Sequence, residues 1–405
     1  MKSAFWKDKS VFITGHTGFK GSWLCLWLEL MGAKVTGYAL APPTSPSLFE
    51  LANVERGMIS VQGDVRDAVS LRETLRAAKP EIVFHLAAQS LVRQSYADPV
   101  TTFGTNVLGT VNLLEAVRQT KSVKAVVMIT SDKCYINREW FWSYREKSQL
   151  GGDDPYSSSK ACAEMVIDSF RTTFFHPKRY GEHGVSVASA RAGNVIGGGD
   201  WAKDRLVPDT MRALLEGRSI SIRNPHAVRP WQHVLEPLNG YLRLAECLYN
   251  DGPAFAAPWN FGPYDFNDKT AGWIAERLCE FWGAPFSWKH DKQPNPHENT
   301  YLKLDSSKAR ALLGWGPKLD LLTSLKWIVD WTKAYQAGAC MRDVTKQQIL
   351  DFARRDILDP CKVIAGALSS HPKRSRKSWI HHGASAIIAG QELLNGGIDL
   401  SGLLS

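Results

Sequence analysis

The sequence predicts an α/β fold, a doubly wound parallel sheet with helices on both faces, followed by a smaller mixed domain. Three observations predict it. Short β-branched runs alternate with longer segments of helical spacing through the first half, a glycine triplet stands directly after the first such run, and from about residue 193 the texture changes to loops rich in Gly, Pro, Trp and Arg. Alternation of this kind covers both faces of a parallel sheet, because each crossover to the next parallel strand carries a helix over one face.

In chain order, SVFIT, AKVTGY, GMISVQ, EIVFHLAA and KAVVMIT read as strands one to five. Between them GSWLCLWLEL, VSLRETLRAA and TNVLGTVNLLEAVRQ repeat apolar residues at helical spacing,. A further helix is expected to begin near Pro155, where a proline suits the first turn,. Past 193, the loops GNVIGGGDWAKDRLVPD, NPHAVRPWQHV and APWNFGPYD separate helical segments such as DTMRALLEG and LEPLNGYLRLAECL,. LDSSKARALLGWGPKLDLLTSLKWIVDWTKAYQ closes the compact body.

Composition bounds the function classes. A chain of 405 residues with 44% apolar and 22% charged residues can bury a large core and suits one large domain plus a smaller one,. No apolar stretch approaches the about 18 residues a membrane span needs, and no leader pattern precedes VFITGHTG,. The seven cysteines have no CxxC spacing, and their odd number argues against a complete intrachain disulfide set, so a reducing cytosol is expected,. The formal charge of +9 is mostly dispersed, with part of it in the tail at Lys373, Arg374, Arg376 and Lys377. That tail reads as a solvated face, and neither nucleic acid nor a membrane is an expected partner. A basic surface also attracts an anionic substrate.

Gly15, Gly18 and Gly21 follow strand one and open a helix. Glycines there permit a tight turn and close approach of the backbone to a pyrophosphate, whose charge meets the free N–H groups of the helix start. The spacing is GxxGxxG, and a plain strand-to-helix turn is the alternative. In this context the triplet predicts a Rossmann-type dinucleotide site. Strand two ends in Thr36-Gly37-Tyr38 with neither an acid for the ribose hydroxyls nor an Arg for a 2′-phosphate, which leaves NAD and NADP open at that position,. Asp64, after strand three, is placed to accept from an adenine amino group or simply to close a turn,.

Tyr156 and Lys160 are four apart, hence on one face of their helix,. An ammonium beside a phenol favours the phenolate, so Tyr156 is a candidate general base. Ser131 ends strand five, where a doubly wound sheet places its ligand. Together the three groups can take a proton from an alcohol. The adjoining Asp132 and Lys133 supply an acid and a base that a simple alcohol dehydrogenase would not need and an elimination would; a surface Asp-Lys pair is the alternative,.

With those residues on the page, GHTGFKGSWL, GYALAPPTSPSLFE, GDVRD, FHLAAQSLVRQSY, TSDKCY, DPYSSSK, RAGNVIGGGDWAKDRLVPD and RPWQHVLEPL, in this order, resemble the signatures of the extended short-chain dehydrogenase/reductase family over about residues 5 to 360. Within it the chain resembles the nucleoside-diphosphate-glucose dehydratases. Where related dehydratases carry Thr-Asp-Glu, this chain has Ser131-Asp132-Lys133, which is similar to the cytidine branch, with CDP-glucose as the implied substrate. Cys134 stands where Val is more usual.

The resemblance implies NAD as a cofactor regenerated in each turnover. It implies that Tyr156, with Ser131 and Lys160, takes the C4 hydroxyl proton, that Lys133 takes the C5 proton, and that Asp132 protonates the departing C6 hydroxyl. Cofactor contacts are expected from Thr17, Phe19 and Lys20 beside the glycines, from Val65 beside Asp64, from Leu86, Ala87 and Ala88 after strand four, and from Tyr156 and Lys160. His85 is expected to wall that site and not to bind metal; no metal is implied. Arg205 and Arg229 are candidates for the diphosphate, with a surface role the alternative for Arg205, while Asn194, Trp201 and Trp231 are candidates for the sugar and cytosine pocket. Arg93 and Ser95 are expected to border the sugar.

Domains are expected at 1–192, predominantly dinucleotide-binding, 193–360, predominantly substrate-binding with return segments, and 361–405, a basic, Gly-rich appendage. The resemblance further implies a cytoplasmic homodimer paired through helices near 99–119 and 155–176, serving deoxysugar synthesis for a lipopolysaccharide O-antigen. A 4-epimerase or decarboxylase on the same scaffold would share Ser131, Tyr156 and Lys160 but would not need the Asp132-Lys133 pair. An idle NAD-binding scaffold is the rival from another class.

Overall fold

The computed structural model describes residues 3–264, 268–285, 288–290 and 301–359. The expected appendage at 361–405 lies outside the described residues. Five strands form where the β-branched runs stand: β1 (Ser10–Thr14), β2 (Lys34–Ala39), β3 (Ile59–Gln62), β4 (Ile82–His85) and β5 (Ala125–Ile129). A sixth, β6 (Ser186–Arg191), and a returning strand at Pro258–Asn260 complete a seven-stranded sheet. Its order is Pro258–Asn260, β6, β5, β4, β1, β2, β3, and every pairing is parallel. β4, β5 and β6 are buried at every position, as strands covered on both faces must be,. The winding reverses between β1 and β4, which opens a crevice at their carboxyl ends,.

On one face, Trp23, Leu24 and Trp27 of helix Phe19–Leu30 pack with Leu238, Tyr241 and Leu242 of helix Leu235–Asp251. On the other, Leu71, Leu113 and Ile167 come from helices Ala68–Ala78, Gly109–Arg118 and Pro155–Thr173. Each such side chain contributes about 2 kcal/mol by leaving water. Local signals start these helices. Asp67 accepts from Val69 N and Ser70 N, and Asp154 accepts from Ser157 N with Pro155 in the first turn,.

Two differences from the sequence expectation have physical causes. The single helix expected over TNVLGTVNLLEAVRQ is a continuous run whose segment Gly104–Leu108 is wound as a π-helix between Pro99–Phe103 and Gly109–Arg118. Asn106 in that turn grips the backbone of Gln89, accepting from its N at 3.0 Å and donating to its O at 3.0 Å. Helix Met341–Ala353, absent from the expected elements, docks on helix Phe19–Leu30. Arg342 donates twice to Glu29 at 2.6 Å, Lys346 donates to it at 2.9 Å, and Phe352 meets Trp27 edge-on.

Past residue 192, helices Leu206–Leu215, Ala271–Trp282 and Leu321–Gln336 enclose a second core around Met211, Ile274, Leu278 and Leu325. Three two-stranded ladders edge it: Val195–Ile196 with Gln232–His233, Val228–Arg229 with Lys269–Thr270, and Ile220–Ile222 with Trp288–His290. Residues 1–358 form one compact unit, so this region is laid against the sheet as well as returning a strand to it.

Candidate active site

The glycine loop is shaped as a cradle. Gly15 sits at φ +78°, and a Cβ there would stand 2.7 Å from Ala87 N; one on Gly21 would stand 2.2 Å from Gly15 O. No side chain caps the helix start at Gly18, which leaves its first N–H groups for an anion,. Thr17 ties the loop to the end of β2 through Leu40 O at 2.9 Å. After β4, Leu86 and Ala87 are held by Thr14, whose carbonyl accepts from Leu86 N at 3.1 Å and whose hydroxyl accepts from Ala87 N at 3.2 Å. The same hydroxyl lies 2.7 Å from His85 Nδ1. Burial and the nearby Lys160 push His85 down to about 3, which keeps the ring neutral. Among the described residues no group of three His, Cys, Asp or Glu could hold a metal.

Asp64 is engaged by Arg66, accepting from its N at 2.9 Å and from its guanidinium at 2.9 and 2.5 Å, and that bonding holds the carboxyl below its ordinary range. Val65 is buried against Gly109. His16, inside the glycine loop, fills the space under Gly37 of β2, where a Cβ would meet its ring at 2.3 Å. Residues from both sides of the topological switch thus meet at one crevice.

The candidate reacting groups converge at the end of β5. Ser131 donates to Asp132 Oδ1 at 3.0 Å and caps a single turn at Asp132–Cys134 by accepting from Lys133 N. Asp132 is 3% exposed and its Oδ2 has no hydrogen-bond partner. Burial raises its carboxyl, against Lys133, Ser131, Arg229 and Lys20, which lower it. A carboxyl so placed is suited to hold a proton. Gly193 makes room for it, since a Cβ at 193 would lie 1.6 Å from Asp132 Oδ2.

Tyr156 and Lys160 are both buried on helix Pro155–Thr173. Burial pushes Tyr156 up to about 12, while its hydrogen bond with Ser131 and the charge of Arg205 act the other way. In the protein alone burial outweighs the groups that favour the phenolate, and Ser131 and Arg205 lead those groups. Burial also lowers Lys160 to about 8, opposed by Glu164. Lys20 is lowered to about 8 by burial and by the cations of Arg205 and Lys160, with Asp132 and Asp200 opposing.

The expected substrate residues fall into two groups. Arg205 spans the crevice mouth, donating to Asp200 at 3.3 Å and to Ser90 Oγ at 3.1 Å, and Arg93 reaches Asp204 at 3.0 Å. Arg229 lies within charge range of Asp132, and Asn194 adopts φ 45° on the strap that carries Gly193. Trp201 is half-buried, edge-on to Tyr335. The structure does not bring the other two to the crevice as expected. Ser95 is fully buried and spends its hydroxyl on Val92 O at 2.6 Å, and Trp231 packs in the second core with its indole N–H on Lys269 O at 2.9 Å. Both positions sit beside the loops expected to form the pocket, but their side chains turn inward to apolar neighbours and backbone acceptors.

Asn106 is a residue the sequence reading passed over. Besides Gln89, it donates to Ser159 Oγ at 2.8 Å, and Ser159 donates to Tyr156 O at 2.7 Å, so the π-turn fixes the start of the helix carrying Tyr156. The available signal was an Asn inside an apolar helical pattern, where it would otherwise be disfavoured; π-turns gather at functional sites.

A glycine cradle beside Ser131, Tyr156 and Lys160 at one strand end fits an enzyme of the extended dehydrogenase/reductase class. The sequence profile described as GDP-mannose 4,6 dehydratase matches residues 12–327, and the chain belongs to that family. It is 56% identical over 348 residues to the CDP-glucose 4,6-dehydratase of Salmonella typhimurium, covering 86% of this chain and 97% of that one. It is 28% identical over 273 residues to the dTDP-glucose 4,6-dehydratase of Streptomyces griseus, covering 67% of this chain and 76% of that one. Among solved structures, the UDP-glucose 4-epimerase of Thermotoga maritima with UDP-glucose aligns with a TM-score of 0.68 at 23% identity, over 80% of this chain and 99% of that one. The dTDP-glucose 4,6-dehydratase of Bacillus anthracis in complex with NAD aligns with a TM-score of 0.66 at 20% identity, over 82% and 98%. At such identities these structures establish the shared fold.

Proposed function

We propose that this chain is an NAD-dependent lyase that converts CDP-glucose to the 4-keto-6-deoxy sugar nucleotide and water. What carries the reading is the Asp132-Lys133 pair at the end of β5, in a chain 56% identical to a CDP-glucose 4,6-dehydratase over nearly its whole length. NAD, when bound in the glycine cradle, supplies the acceptor and later the donor of the hydride that passes from C4 to C6, together with a cationic ring. Tyr156 takes the C4 hydroxyl proton, assisted by Ser131 and Lys160. The C4 ketone acidifies C5–H, Lys133 removes that proton, and the buried carboxyl of Asp132 protonates the leaving C6 oxygen, so that water departs; a proton then returns to C5 as C6 takes up the hydride. Arg205 and Arg229 are assigned to the diphosphate, which anchors the sugar through these steps.

The 4-epimerase reading is weaker because inversion at C4 expels no C6 hydroxyl and gives Asp132 and Lys133 nothing to do. The test is to incubate the purified protein with CDP-, dTDP-, GDP- and UDP-glucose and follow nucleotide-sugar mass. Loss of one water from CDP-glucose selectively is expected; unchanged mass in all four overturns the reading.

A homodimer is the assembly we assign, through the helices that carry Val100, Phe103, Leu108 and Met165, all exposed apolar side chains,. A cytosolic location fits the unpaired thiols of the described cysteines,. No described helix is long and apolar enough to cross a membrane.

A further inference from the structure

Beneath the site lies a buried ion pair that the proposed reaction does not use. Glu164 and Arg191 meet at 2.6 Å with side chains 2% and 3% exposed. Isolated charges are rarely kept at that depth, and a pair there adds little net stability over apolar residues of equal volume. Its bonds indicate another use. Glu164 Oε1 accepts from Thr130 Oγ1 at 2.5 Å, and Oε2 accepts from Ser189 Oγ at 2.8 Å. Arg191 Nη1 donates to Tyr135 OH at 2.8 Å and to Glu146 O at 3.1 Å, and Tyr135 OH in turn donates to Asn260 Oδ1 at 2.7 Å. Thr130 immediately precedes Ser131, and Tyr135 immediately follows the Asp132–Cys134 turn.

The pair therefore grips the reacting turn at both ends. It does so from helix Pro155–Thr173, on which Tyr156, Lys160 and Glu164 stand at successive turns of one face,. Lys160 is faced by Tyr156 and Glu164 from its own helix, by Cys134 from the turn, by His85 from the end of β4, and by Lys20 from the glycine loop. Glu164 leads the influences that keep the ammonium charged there, against burial.

We propose that Glu164 and Arg191 are positioning residues: their pair fixes the Ser131–Cys134 turn to the helix of Tyr156 and Lys160, and the Glu164 carboxylate is the fixed countercharge of the Lys160 ammonium. The part concerning turnover rests on the dehydratase reading; the part concerning Lys160 does not.

The experiment uses E164Q, R191M and the double variant E164Q/R191M in the full chain, with two readouts. The first is the titration of Lys160 followed by NMR of lysine labelled at Cε, its signal identified by its loss in K160M, with no substrate present. The second is the pH profile of kcat and KM on CDP-glucose. In E164Q the Lys160 titration and the alkaline limb of kcat are expected to move down by about one pH unit or more, because the anion that held the proton is gone. In R191M, which keeps the anion and loses the competing cation, neither moves down. In both, kcat falls at least about tenfold while KM stays within about threefold, because the turn is released and the nucleotide handles are untouched. Should a single variant fail to fold for want of a partner to its buried charge, the double variant, which has no unpaired charge, carries the test, and a downward shift is again expected. A folded E164Q or double variant whose Lys160 titrates as in the wild type overturns the countercharge, and a kcat within twofold of wild type overturns the positioning role. If the wild type itself leaves CDP-glucose unchanged, the dehydratase reading fails, while the NMR titration still decides the countercharge.

Discussion

Tyr156 carries the heaviest chemical demand in the site, because burial pushes its phenol up to about 12 and the groups that favour ionisation are few. Y156F removes the proposed base and little else, so kcat is expected to fall by about 10²- to 10⁴-fold with KM changed far less, as steady-state kinetics on CDP-glucose would show. Gly193 is a sharper case. Its replacement by Ala puts a methyl group where Asp132 Oδ2 now lies, so the carboxyl must swing away from Ser131. G193A should lose at least about two orders of magnitude in kcat, yet still bind CDP-glucose in calorimetry, since an acid displaced from its place no longer serves a proton transfer. Retained turnover would show that Asp132 is not the acid. Ser131, Tyr156 and Lys160 were legible in the sequence because four-residue spacing and a strand end are local facts. Gly193 was not, because what it avoids belongs to a strand end 61 residues away in the chain.

At the level of elements, β1 to β5 and the helices between them stand where hydrophobic periodicity placed them. Helix Met341–Ala353 does not, and its sequence explains the omission. Its inward residues Met341, Thr345, Gln348, Ile349 and Phe352 include two with polar groups, so its buried face is only partly apolar. What holds it is the Glu29 cluster, formed by residues more than 300 positions apart. R342A is expected to lower stability by about 2 kcal/mol, read from urea unfolding, through the loss of charge-assisted bonds at a half-buried site. An effect below a few tenths of that would assign the docking to Phe352 and its apolar neighbours. The π-turn at Gly104–Leu108 was equally hidden, since helical spacing continues through it and only the demands of Gln89 and Ser159 widen it.

For the molecule as a whole, three buried histidines make acidity costly. His16 is held down to about 4, and His85 and His233 to about 3, each chiefly by burial. Unfolded imidazoles take a proton near 6.5. Between that value and the native ones the unfolded chain holds more protons, so these groups lose their stabilising effect as pH falls from 6.5 toward 3 to 4, by about 1.4 kcal/mol per pH unit for each. Glu236, raised to about 8 by burial, acts in the opposite sense. Comparing H233N with the wild type isolates one of the three: their difference in unfolding free energy should shrink as pH is lowered through that window, and a constant difference would show that His233 is already charged in the native protein. Assembly is open to a direct check, because V100E places a charge on the face assigned to the dimer and should give a monomer by light scattering. One feature of the sheet bears on how the molecule is made. Strand Pro258–Asn260 pairs with β6 across a stretch of chain that includes helices Leu206–Leu215 and Leu235–Asp251. A nascent chain that has just released β6 already contains the glycine loop and the Ser-Tyr-Lys set, but the outer edge of β6 stays open until nearly seventy more residues have emerged. During that interval an unpaired strand is offered to solvent, and synthesis halted there would yield a sticky, incomplete sheet prone to pairing with its own copies.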